Sequence, residues 1–204
     1  MDDLSKALGD IRSIRRRVAH TTKFRGYGPA TLTATGVFAM LAAGAQIHWI
    51  PQPASHVRHY VGLWCATALV SAVLAGLQMY TRSRRLHSGL SDEMIHMAVE
   101  QFLPAVAAGI LLTFVLLRTV PSVAWMLPGL WQVIFSLGIF ASCRFLPRQV
   151  FVAGAWYLLT GMICLGFGGS RALSPWAMAI PFGVGQMLVA GILFFCAKER
   201  GHEG

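Results

Sequence analysis

Three histidines, His48, His56 and His59, flank a short Pro51-Gln52-Pro53 stretch between two apolar runs. A neutral imidazole nitrogen binds haem iron, zinc or copper. A hairpin at the prolines would bring His48 and His59 to similar depth on neighbouring helices, where a facing pair could hold a haem. His56 is a further candidate metal ligand. Against this, no C-x-x-C-H haem-attachment motif occurs, and no acidic or cysteine residue lies beside them to complete a metal site.

A second group is Asp92, His96 and Glu100, spaced four apart. On a helix these fall on one face. Two carboxylates around an imidazole could bind a divalent metal or hold the histidine as a proton relay. The plainer expectation is that Asp92, after Ser91, sits at a helix start, where the helix dipole favours negative charge.

The third group is neutral. Gln78, Gln132, Gln186, Thr67, Ser71, Thr113, Ser136 and Thr160 lie within apolar runs. Such residues commonly hydrogen-bond between membrane helices. Gln132 and Gln186, with Glu100 at the mouth of its helix, could line a polar path. The four cysteines form no C-x-x-C pair, and each falls in or at the end of an apolar run, so packing is their expected role. There is no G-x-S-x-G, H-E-x-x-H or Walker sequence. The chain therefore names no reaction, and a non-enzymatic role is the expectation.

The elements that carry these residues follow from hydropathy. Only 12% of residues are charged, about half the share of an average soluble domain. Six apolar stretches are expected as helices, at about 29–50, 57–80, 102–119, 127–146, 149–167 and 175–197. Each suits a hydrocarbon core about 30 Å thick at a rise of 1.5 Å per residue. A short amphipathic helix over 91–101 is expected before the third span. The fold class is all-α: a polytopic membrane protein of six transmembrane helices behind an amino-terminal amphipathic helix. Residues 1–26 form that helix and a juxtamembrane turn, 27–197 the bundle, and 198–204 a short tail. Gly166-Phe167-Gly168-Gly169 reads as a helix stop, and Pro181 with Gly183 and Gly185 as a bend in the last span. Three spans followed by three have opposite topology, which makes a 3+3 inverted repeat a candidate.

Charge sets the expected orientation. Of the 17 Lys and Arg, only Arg58, Arg118 and Arg171 fall on one side of the six spans. The rest share the side of both termini, with all eight acidic residues. Basic residues mark cytoplasmic loops, so both ends are expected in the cytoplasm of a bacterial inner membrane. Net charge of +9 then has a topological meaning, and no nucleic-acid partner is expected.

Leu4, Leu8, Ile11 and Val18 recur at helical spacing near the start, opposite Arg12, Arg15, Arg16 and Arg17. A basic amphipathic helix of this kind lies on anionic lipid, docks a protein partner or self-associates. Ile11-Arg12-Ser13-Ile14-Arg15, then Phe24-Arg25-Gly26-Tyr27-Gly28-Pro29 and the Ala/Thr-rich first span, resemble a family of uncharacterised bacterial multi-spanning inner-membrane proteins. The resemblance implies a multi-spanning fold and carries no activity and no catalytic residues. Three functions remain open from the sequence: a non-enzymatic partner- or lipid-binding membrane protein, a small transporter or channel, and a haem- or metal-binding redox or sensor protein.

Overall fold

The computed structural model describes residues 29–86, 89–143 and 149–202. The amino-terminal amphipathic segment, with Arg12, Arg15, Arg16 and Arg17, lies outside the described residues. The fold is all-helical. Its elements are α1 (Pro29–Trp49), α2 (Val57–Leu86), α3 (Gly89–Thr119), a 3-10 turn (Pro121–Met126), α4 (Leu127–Ser142), α5 (Val150–Phe167), the four-residue α6 (Gly169–Ala172) and α7 (Pro175–His202).

Six of the helical stretches are long and apolar enough to cross a membrane, with the 3-10 turn joined to α4 and α6 joined to α7. That is compatible with an integral membrane protein. Helix and span do not end together. α2 continues through Arg82, Arg84 and Arg85 to Leu86, and α3 begins at Gly89 as one unbroken helix rather than a short helix followed by a span. Charge ends an apolar run but not the backbone ladder, because a helix satisfies its own N–H and C=O groups in lipid and water alike.

Successive spans run in opposite directions. The connections at 50–56, at 120 and at 168–174 share one end of the bundle, here the loop face; the start of α1, the end of α2, the start of α3 and the end of α7 mark the opposite end, here the termini face. α1 packs on α2 and α7, α7 on α5, α5 on α4, and α4 on α3. The order is α2–α1–α7–α5–α4–α3.

Glycine sets how closely two of these pairs approach. A Cβ at Gly161 would stand 2.9 Å from the Gly129 carbonyl oxygen, and one at Gly129 would stand 2.8 Å from the Gly161 oxygen. α4 and α5 therefore meet backbone to backbone. Gly36 faces Gly183 similarly where α1 crosses α7, with an added Cβ 3.2 Å from the Gly183 oxygen. Gly161→Val is expected to cost about 1–3 kcal/mol, the usual range for overpacking, seen as a lowered Tm in detergent. Gly76→Val should leave Tm nearly unchanged, because a Cβ there meets nothing within 4 Å. The small residues around Ala72 and Gly76 are not a close helix crossing within this chain.

Burial is uneven. The largest core cluster gathers Tyr60, Val61 and Trp64 of α2 with Ala39, Ala42 and Ala43 of α1, Leu127, Leu173 and Met178, and it draws Leu116 and Leu117 of α3 against it. Both outer helices are thus tied at the loop face. Beyond Trp64, α2 has no buried residue through Thr81. Its half-buried positions include Thr67, Ser71, Leu74, Ala75 and Gln78, a face with three polar members. Along the termini-face half of α2, packing thins out.

Candidate polar site in the bundle core

The interior chemistry begins with one missing hydrogen. Pro181 lies inside α7 and has no N–H. The carbonyl of Ala177, four residues back, therefore loses its helical partner. Gln132 of α4 supplies the replacement: its Nε2 donates to Ala177 O at 2.9 Å. Membrane helices tolerate proline where a neighbour repairs the ladder in this way.

Two further donors reach the same helix. Gln46 Nε2 of α1 donates to Leu173 O at 2.8 Å. That carbonyl is free because the Ala177 N–H turns to Ser174 O and Ser174 Oγ instead. Trp156 Nε1 of α5 donates to Pro181 O at 3.0 Å. The acceptors at 173, 177 and 181 are four residues apart, so they form a row along one side of α7 and the turn before it. Three helices each place a neutral donor on that row. Trp64 Nε1 of α2 then donates to Gln46 Oε1 at 2.9 Å, which brings in a fourth helix.

Gln46 was not among the residues that the sequence singles out. Its signal was present, an amide inside an apolar span, but its acceptor lies 127 residues away. Gln186, which the sequence does single out, makes a different contact: its Nε2 is 3.5 Å from Tyr157 Oη. Through Tyr157, Gln186 borders an aromatic cluster. Phe135 packs on Phe102, Tyr157 and Phe182 with ring centroids 5.1, 4.8 and 5.5 Å apart. Glu100 is exposed and joins neither amide in the core. Asp92 and His96 belong to α3, and their side chains lie outside the described residues.

Compared with known proteins, the chain matches no family model, no curated protein and no solved structure. The resemblance of the amino-terminal stretch finds no support there.

His48, His56 and His59 are all exposed at the loop face. His56 and His59 stack as a tilted pair with ring centroids 5.9 Å apart, and His56 Nδ1 is 3.4 Å from Gln52 O. Among the described residues no group of three His, Cys, Asp or Glu is placed to hold a metal ion. Beside the histidine turn lies an open depression of about 440 Å³, between Pro51–Ser55 and Ser170, Ser174 and Pro175.

The polar side chains buried in the described residues are Thr35, Gln46, Thr113, Gln132, Ser136 and Ser142, all neutral. Among the described residues three buried side-chain oxygens have no hydrogen-bond partner: Tyr60 Oη, Gln132 Oε1 and Ser136 Oγ. Tyr60 packs in the same cluster as Met178, whose sulfur is 4.0 Å from Gln132 Nε2. Unsatisfied polar groups cost about 1–3 kcal/mol each, and one of these, Gln132 Oε1, belongs to the amide that fills the hydrogen-bond gap left by Pro181.

Proposed function

We propose that the protein is a small membrane carrier or gated pore for an uncharged polar solute, moving down its own gradient. The observation that carries this reading is Pro181 within the continuous α7, whose freed Ala177 carbonyl is held by Gln132 beside the unpaired Gln132 Oε1 and Ser136 Oγ. Transporters place substrate sites near the midplane, where the backbone ladder of a helix is locally broken, and Pro181 opens one such gap inside α7. The neutral interior supports an uncharged solute. All eight acidic residues lie outside the apolar interiors of the spans, whereas ion-coupled carriers use carboxylates within the bilayer.

The helix order supports an inverted repeat as part of the same reading. Exchanging α1, α2 and α3 for α4, α5 and α7 maps the α1–α2 pair onto α4–α5. It also maps α1–α7 onto α4–α3. The α5–α7 pair maps onto α2–α3, which is not among the well-packed pairs. The symmetry thus breaks where packing is loosest, and α2 is the element placed to swing as a gate.

The test is solute-driven volume change in proteoliposomes, read by stopped-flow light scattering with water, ammonia, urea and glycerol. At least one of these should equilibrate faster than in protein-free vesicles, without a sodium or proton gradient, and Gln132→Leu should slow it at least several-fold. Identical rates with and without protein for the whole panel would refute the proposal.

A second reading is favoured by one observation. The exposed side of α2 carries Leu69, Val73 and Leu77 beside Ala68, Ala72 and Gly76, small residues at four-residue spacing. Such a surface suits another transmembrane helix, and a partner-binding protein would use it. Cross-linking through Ala72→Cys in native membranes separates the two, since a carrier acting alone gives no specific product.

A further inference from the structure

We infer that Gln132 Oε1 and Ser136 Oγ frame a binding site for one uncharged hydrogen-bond donor of single-heavy-atom size, water or ammonia. The inference rests on the carrier reading only in that a passing solute would pause here; occupancy itself is tested separately.

The orientation of Gln132 follows from its partner. Ala177 O can only accept, so the amide must present Nε2 to it and Oε1 to the other side. Both Gln132 and Ser136 are 0% exposed, and neither Oε1 nor Oγ has a protein partner.

Ser136 departs from its peers. A helical hydroxyl ordinarily bonds back to the carbonyl four residues earlier. Thr67, Thr113, Ser142 and Thr160 all do so, at 2.9, 2.7, 2.9 and 2.9 Å. Ser136 does not, although the carbonyl of Gln132 stands in that position.

The spacing sets the guest. Side chains four apart on a helix have Cβ atoms about 5–6 Å apart. Residues so placed share one face, within reach of a single small guest that makes hydrogen bonds of about 2.8 Å. Larger guests are opposed by the surroundings. A Cβ on Gly161 would already stand 3.0 Å from the Cβ of Gln132, and Phe135, one residue before Ser136, is packed on three rings. Charge is opposed as well: an amide oxygen repels an anion, and two neutral oxygens do not replace the hydration of a cation. The guest must donate to Gln132 Oε1 and can either donate to or accept from Ser136.

The experiment is Ser136→Ala, read as Tm in detergent. An occupied site loses a bridging hydrogen bond, and Tm should fall by roughly 2–4 °C. An empty site loses only a buried, unpaired hydroxyl and gains a better helix former, so Tm should rise; a rise or no change overturns the inference. Ammonia and water are then separated with ammonium against sodium buffer at equal ionic strength across a pH series. Stabilisation of the wild type that tracks free ammonia, and is absent in Ser136→Ala, assigns ammonia. A Tm fall in Ser136→Ala with no ammonia response assigns water. A lowered Tm in a protein with no solute flux would keep the site and reject the carrier reading, while a raised Tm in a conducting protein would do the reverse.

Discussion

Gln132→Leu is expected to cost about 1–2 kcal/mol when residue 181 is proline and much less when it is alanine. Interhelical hydrogen bonds in membrane proteins average only about 0.6 kcal/mol, because the separated helices find other partners. The Gln132–Ala177 bond should exceed that average. Proline has removed the partner that any other residue at 181 would supply, so the Ala177 carbonyl has no fallback inside its own helix. Pro181→Ala restores an N–H at that position and makes Gln132 redundant to the carbonyl. Thermal or denaturant unfolding of the four proteins of this cycle should show a coupling of about 1 kcal/mol between residues on different helices. Equal costs of Gln132→Leu in both backgrounds would mean that the amide does not serve the proline gap.

Gln46→Leu should be the most damaging single substitution at the loop face. Gln46 is 0% exposed and Trp64 is 3% exposed. Leucine at this position strands two buried groups at once, the Leu173 carbonyl and the Trp64 indole N–H. At about 1–3 kcal/mol for each stranded group, the loss is roughly 2–6 kcal/mol. Tm should fall by roughly 4–24 °C. Trp64→Phe removes one donor of the same network and should cost less, because the bond from Gln46 to Leu173 survives. A Gln46→Leu protein as stable as the wild type would remove the loop-face clamp from the account.

The spans were legible because length and hydropathy are local properties. The twenty residues from Ala30 to Trp49, with a mean hydropathy of 1.4, announce a helix without reference to the rest of the chain. Pro51-Gln52-Pro53 and Gly168-Gly169 announced turns for equally local reasons, and both glycines have positive φ, 64° and 53°. Helix ends near charge were less legible. Arg82, Arg84 and Arg85 end the apolar run but not α2, and Pro104 sits inside α3 without ending it.

The core site was half legible. Gln132 and Ser136 stand out as polar residues in an apolar span. Their relation to Pro181 is not in the spacing, because it depends on α4 lying against the start of α7. Gln46 shows the same limit more sharply, since nothing near it in sequence hints at Leu173. The histidines of the loop face were legible as a group, and the structure adds that all three are exposed and that His56 and His59 form a tilted pair.

The central claim is a bundle clamped at the loop face and able to open along α2 at the termini face. Spin-label distance distributions in lipid, in a background without native cysteines, test it most directly. Labels at Gly62→Cys and Val115→Cys report the clamped half of α2 and α3; labels at Leu77→Cys and Val106→Cys report the other half. All four positions are exposed. The first pair should give one narrow distance peak, and the second a broad or two-peaked distribution. Equally narrow peaks from both pairs would contradict the account.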